Sequence, residues 1–183
     1  SDVRSLGTSA LPVRSSFLDR QGTLWVLHGT GKIDLGSFSG GPFRIWRREK
    51  ILSRGLAENI VGGVVRDEEG SLWFATFGGL DHYDPKKDLF HHFSHVPGDG
   101  GTLPHRAATA LAKDRRHRLW VGSPAGLSLF DRSSNRMIRH VVAPAIYAIC
   151  PDPLSDDVLW LGTMDQGLLR YHVPTDTWRR MPL

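Results

Sequence analysis

Acid–base chemistry needs carboxylates that face one cleft or a base beside a nucleophile, and this chain offers 19 acids, 9 histidines and 1 cysteine from which to build either. Glycan hydrolysis would use two carboxylates across the scissile bond, and a covalent route a serine or cysteine with an adjacent base. Asp19, Asp67, Asp114 and Asp152 hold the same place in a repeated segment, at the start of a tight turn that already explains them. Asp84 and Asp131 recur in the same way at a second turn. Setting these aside leaves Asp99 and Asp165 as acids without a repeated place and His105 as a candidate base. No spacing pairs them, so no catalytic residue is assigned and the chain is expected not to be an enzyme; a lyase or hydrolase is the lesser alternative. His91, His92 and His95 lie close together, but neighbours in a strand point to opposite faces, so His91 and His92 do not share an ion. Only His82, on an adjacent strand, could approach one of them, and no metal or other cofactor is expected. Cys150 lies in the apolar run AIYAIC and is expected to be a buried small hydrophobe.

The elements that position these residues follow from four tryptophans. Trp25, Trp73, Trp120 and Trp160 sit in the segments DRQGTLWVLHGTG, DEEGSLWFATFGG, DRRHRLWVGSPAG and DPLSDDVLWLGTMDQG, at intervals of 48, 47 and 40 residues. A period of about 40 to 50 residues with several short strands per unit is that of propeller blades. The expected fold is all-β: a β-propeller of four four-stranded antiparallel blades, about 11–50, 59–95, 106–142 and 144–183, forming one domain over 1–183.

The second unit is the clearest, with strands expected near Val61 to Arg66, Ser71 to Thr76, Leu80 to Tyr83 and Leu89 to Phe93. Asp67 opens the first turn and Gly70 supplies the positive φ that ends it. Leu72, Trp73 and Phe74 form an apolar run suited to a strand buried on both faces, and Gly78-Gly79 reverses the chain. The mixed polarity of Leu89 to Phe93 suits an outer edge. In the first unit Lys32 stands where Leu80, Leu127 and Leu168 stand elsewhere; either the strand slips by one residue to place Ile33 there, the favoured arrangement, or a lysine points into an apolar site. In the third unit His117 replaces the turn glycine, and the fourth lengthens that turn and inserts a residue at Met164-Asp165-Gln166-Gly167.

The pattern D-x-x-G-x-L-W-x-x-T-x-x-G-L resembles the two-component regulator propeller repeat. The matching residues are Asp67, Gly70, Leu72, Trp73, Thr76, Gly79 and Leu80, then Asp114, Leu119, Trp120, Gly122, Gly126 and Leu127. The linker PGDGGTLPHRAATAL is similar to the family's connector, and the likeness runs from about residue 11 to the end. It implies a periplasmic or extracytoplasmic sensor module of hybrid two-component histidine kinases, whose members carry seven-bladed rings and in many cases detect oligosaccharides. The start SDVRSLGTSALP has no charged segment followed by an apolar one, and no run approaches the about 18 apolar residues of a membrane span. Four blades leave apolar faces uncovered, so the chain is expected to be half or part of a seven- or eight-bladed ring, completed by self-association or by further blades, with a closed four-bladed ring the lesser alternative.

With a net charge of +4, a nucleic-acid partner has to be weighed, but Arg47 and Arg48, Arg115, Arg116 and Arg118, and Arg179 and Arg180 fall on different edges of different units. No phosphate-tracking stripe forms, and no nucleic-acid partner is expected. Ligands of propellers enter at the channel mouth, where the loops between second and third strands meet the connectors between blades. The first class holds His28, Thr30, Phe77, Ser123, Pro124, Met164, Asp165 and Gln166, and the second Arg54, Glu58, Asn59, His95, Asp99, His105 and Arg106. From these, Phe77, Arg54, Asn59, His105, Arg106, Met164, Asp165 and Gln166 are taken as candidate ligand-binding residues, since an aromatic among polar groups suits a sugar. The structural repeat is assigned to Trp25, Trp73, Trp120, Trp160, Asp67, Gly70, Asp114, Gly79, Gly126 and Gly167. The expected function is ligand sensing, of a carbohydrate if the resemblance carries over, with an interaction or assembly scaffold as the alternative.

Overall fold

The computed structural model describes residues 13–18, 23–28, 33–37, 44–140 and 144–182; Asp19, Arg20, Gln21, Gly22, Thr30 and Lys32 lie outside them. Sixteen strands form four antiparallel four-stranded sheets, each pairing its strands in chain order. The first unit, ending at Arg47, holds β1 (Val13–Leu18), β2 (Thr23–His28), β3 (Ile33–Ser37) and β4 (Arg44–Trp46). Within it Leu27 pairs with Ile33, as Ala75 pairs with Leu80 and Gly122 with Leu127. The one-residue slip therefore occurs, and Ile33 takes the leucine's place.

The second unit contains three sheets. Blade 2 is β5 (Val61–Arg66), β6 (Leu72–Thr76), β7 (Gly79–Asp84) and β8 (Leu89–Phe93). Blade 3 is β9 (Ala110–Lys113), β10 (Leu119–Ser123), β11 (Gly126–Asp131) and β12 (Arg136–His140). Blade 4 is β13 (Ile146–Pro151), β14 (Val158–Thr163), β15 (Leu168–His172) and β16 (Thr177–Arg180). As expected, β6 is buried along its whole length, as is β10, while β8 is of mixed exposure.

The turn aspartates do more than open turns. One oxygen of Asp67 accepts the Ser71 N–H at 2.9 Å and the other accepts the Trp73 indole N–H at 3.1 Å. Asp114 takes the Arg118 N–H at 2.9 Å and the Trp120 indole at 2.8 Å, and Asp152 takes the Leu154 N–H at 2.8 Å and the Trp160 indole at 2.7 Å. The carboxylate thus ties each hairpin turn to the ring two strands deep in the blade, satisfying an indole that burial would otherwise leave unpaired. At the turn's end Gly70 has φ 87° and His117 holds the same left-handed region at 60°, as its place in the repeat requires. At the other end of each blade Thr76, Ser123 and Thr163 donate to the carbonyls of Gly79, Gly126 and Gly167. Gly79, at φ 138°, cannot be replaced because a Cβ would lie 2.4 Å from the Phe93 carbonyl.

Blades stack through these tryptophans. Trp73 packs with Ala75 and Leu80 against Leu119, Val121, Phe130 and Met137 of blade 3, and Trp120 and Leu127 pack against Ile146, Leu159, Leu161 and Tyr171 of blade 4. Charge joins the turns. Glu68 of blade 2 receives Lys113 and, at 2.6 Å, His117 of blade 3. The Lys113 ammonium holds the Glu68 carboxyl down to about 2. Arg115 and Arg116 of blade 3 in turn face Asp156 and Asp157 at 3.6 and 2.9 Å, and Arg118 donates to the Asp156 carbonyl. The Arg115, Arg116 and Arg118 cluster is therefore an inter-blade staple at the surface, and the lengthened turn of blade 4 supplies its acids.

Cys150 is a correction. It is exposed, because the β13 strand carries it on the Trp160 side of blade 4, where Ala148 is exposed too. An apolar run is buried only if a neighbour covers it.

The connector into blade 2 is fastened by His92. Its Nδ1 lies 2.8 Å from Asp81 Oδ1 and its Nε2 lies 2.7 Å from the Leu52 carbonyl. Both partners are acceptors, so satisfying both requires a proton on each ring nitrogen, the imidazolium form. Asp81 is fully buried, and its second oxygen accepts the Ala57 N–H at 2.8 Å. The bond to Asp81 raises the His92 pKa above its ordinary 6.5, with the Leu52 carbonyl assisting against the burial cost.

Two outcomes follow from these contacts. Asp114→Ala strands the Trp120 indole, which is 0% exposed, and is expected to lower urea-unfolding stability by about 3 kcal/mol, whereas Asp152→Ala, beside the partly exposed Trp160, costs about 1 kcal/mol. A folded pKa above the unfolded one means the His92 staple stabilises fully below the ordinary 6.5 and is lost as pH rises through the raised value. Amide exchange of 51–57, corrected for its intrinsic pH dependence, should therefore lose protection as pH rises above the ordinary 6.5 and through the raised value, and His92→Gln should remove that step.

Candidate functional site

The loops between second and third strands and the ends of the connectors share one rim of blades 2 to 4. The Phe77 N–H donates to the Ile60 carbonyl at 3.0 Å, Ala108 N–H to the Thr76 carbonyl at 2.8 Å, and Met164 N–H to the Ala145 carbonyl at 3.3 Å. These bonds fix each loop against the residues that enter an inner strand. Phe77 is 37% exposed, between the connector ending at Ile60 and the one reaching Ala108. Asn59 and His105 lie in those two connectors. Met164, 76% exposed, stands with exposed Asp165 and half-buried Gln166 on the rim of blade 4.

The candidates divide accordingly. Phe77, Asn59, His105 and Arg106 belong to the loop and the connectors of blades 2 and 3, and Met164, Asp165 and Gln166 to the loop of blade 4. Asn59 and His105 also hold the backbone, accepting the N–H groups of Arg48 at 2.8 Å and Ala107 at 3.0 Å. Gln166 donates its backbone N–H to Thr163 Oγ1 at 3.0 Å. Arg54 is not at the rim. It ends the 3-10 turn Leu52–Arg54, which packs on the outer strand β8 through the His92 bond to Leu52. Two loop residues considered with them are structural: Ser123 locks its turn by accepting the Ala125 N–H at 3.1 Å, and Asp99 accepts Gly101 N–H at 2.8 Å and Arg136 at 2.6 Å.

Sequence reasoning missed a cleft of about 440 Å³ at the opposite end, between blades 2 and 3. Trp73 and Phe130 lie at its base, with His82, Asp84, Lys86 and Arg132 around it. His82 stacks on Trp73 with ring centroids 4.1 Å apart, and the Arg132 guanidinium stands 5.9 Å from the indole centre. Burial lowers the His82 pKa, aided by the charges of His91 and Arg132 against Asp67 and Asp84, so the imidazole is neutral at neutral pH. Asp67 and Asp84 are engaged by the turn N–H groups and the indole. His82 and His91 do approach one another, at 6.0 Å, and His92 points to the other face, as alternation requires. Among the described residues no group of three or more His, Cys, Asp or Glu could hold a metal ion. The only signal for this cleft in the sequence is His82 two residues before Asp84, which repeat analysis assigns to a turn.

No family model matches the sequence, and no curated protein matches it. Solved structures do. The extracellular domain of a hybrid two-component system of B. thetaiotaomicron superposes with TM-score 0.77 at 19% identity, over 96% of this chain and 25% of that one. A second such domain from B. thetaiotaomicron gives TM-score 0.74 at 20% identity, over 93% and 25%. The WD40 repeats of RRP9 give 0.69 at 13%, over 96% and 52%. The chain spans about a quarter of the length of the two sensor domains. Among the described residues no helix is long and apolar enough to cross a membrane. The repeat expected from the tryptophan segments is thus present in three dimensions: the fold of this chain is the β-propeller fold, shared with extracellular domains of hybrid two-component systems.

Proposed function

We propose that this chain is a non-enzymatic sensory propeller segment that acts outside the cytoplasm and binds a carbohydrate at its rim. The observation that supports this is exposed Phe77 in a loop bonded to Ile60 and Ala108, the ends of the two connectors that carry Asn59, His105 and Arg106. A sugar ring has an apolar face and a hydroxylated edge, and an exposed aromatic beside amide, imidazole and guanidinium groups meets both. The neighbours that share the fold are extracellular domains of two-component systems, which supports a sensory role. Met164, Asp165 and Gln166 extend the surface on blade 4. A second copy or further blades complete the ring, and the complete rim carries the full site.

Calorimetric titration against a panel of oligosaccharides tests this. One member should bind, with Phe77→Ala weakening it by about tenfold or more, as expected when one stacking aromatic is lost. No binding by any member would favour an assembly scaffold. Turnover of a glycan, lost in Asp165→Ala or His105→Ala, would overturn the non-enzymatic reading.

A further inference from the structure

Two blade faces in this chain are covered in the same way. Trp73 is 4% exposed beneath Phe130 of the next blade, with ring centroids 5.0 Å apart. Trp120 is 0% exposed and meets Tyr171 of the next blade edge-on at 6.2 Å. Both covering rings lie in the third strand, opposite the leucine that precedes the tryptophan in the second: Leu119 pairs with Phe130 and Leu159 with Tyr171. Blade 2 repeats the arrangement with Leu72 and Tyr83.

Blade 4 presents the same kind of face. Register aligns Cys150, Trp160, Arg170 and Arg179 across its four strands, as it aligns Val65, Trp73, His82 and His91 across blade 2. Asp152 holds the Trp160 indole as its counterparts do. Yet Trp160 is partly exposed, Leu168 is 39% exposed, and Cys150 and Arg179 are exposed. The first blade differs at the deciding position, because Leu24 pairs with Gly36. A blade with glycine there has no ring to lay over an indole.

We propose that the Trp160 face of blade 4 is a docking surface for a further propeller blade that carries phenylalanine or tyrosine opposite the leucine of its second strand. Blade 1 of a second copy, with Gly36, does not fill it. The face continues an interface that occurs twice among the described residues, which argues for a blade over any other occupant. Charge narrows the partner further. Arg132, two residues past the covering Phe130, stands over Trp73 beside neutral His82, whereas blade 4 already carries Arg170 in the histidine's place. The incoming blade therefore has a neutral or acidic residue two positions after its aromatic ring. This decides between the two routes to a complete ring and needs no ligand.

Cys150, the only cysteine and the cross-strand partner of Trp160, reports on the face directly. In the 183-residue chain it should react with a chromogenic disulfide as fast as in urea, at every protein concentration. Appending a second copy of 106–142 that carries Arg132→Gln after Leu183 should slow the reaction by about tenfold or more, and Phe130→Gly added in that copy should restore it. A discrete dimer, or a monomer, whose Cys150 is already protected by about tenfold would overturn the proposal. So would equal protection by the phenylalanine and glycine versions. Should an appended chain fail to fold, the unextended chain decides alone.

Discussion

Each of blades 2 to 4 depends on a carboxylate shared between a turn and an indole. Asp67, Asp114 and Asp152 each give one oxygen to the backbone of the first hairpin and the other to the tryptophan of the second strand. An aspartate can do this only as the anion, and its short side chain leaves little choice of geometry. The ring is thereby set at one height and one angle, so the next blade meets the same surface each time. Phe130 and Tyr171 can cover their indoles because the carboxylates have fixed where those indoles are.

At the opposite end of the blade the Thr or Ser bond to a glycine carbonyl makes a second lock. Between the two locks the strands have little freedom, and the repeat is indifferent to what the rim loops carry. Phe77, Pro124 and the inserted Met164-Asp165-Gln166 differ completely in size and polarity on the same scaffold. Binding chemistry can vary there without disturbing the fold, which is the usual division of labour between frame and loop.

Much of this was legible in the sequence because turn chemistry is local. Asp67 and Gly70 bracket a hairpin, His117 accepts the left-handed turn position, and Ile33 replaces leucine by a slip, all within a few residues of the signal. What escaped was set by distance. Cys150 looked buried because its strand is apolar, but exposure depends on a neighbouring blade. Arg54 looked like a rim residue, but His92, 40 positions from Leu52, carries its turn to the outer edge. Asp99 looked unexplained until Arg136, 37 positions on, was seen to hold it. The cleft beside His82 exists only once two blades are stacked, and no single repeat contains it.

The charged turns have a consequence for assembly order. Repeats this alike could dock out of sequence during folding, since any tryptophan face could accept any aromatic lid. Glu68 of blade 2 is acidic, the Arg115-Arg116 turn of blade 3 is basic, and Asp156-Asp157 of blade 4 is acidic again. A chain that skipped blade 3 would press Glu68 against Asp156 and Asp157. Alternation of sign thus acts as an address, rejecting the misthreaded arrangement by repulsion while the hydrophobic faces remain interchangeable.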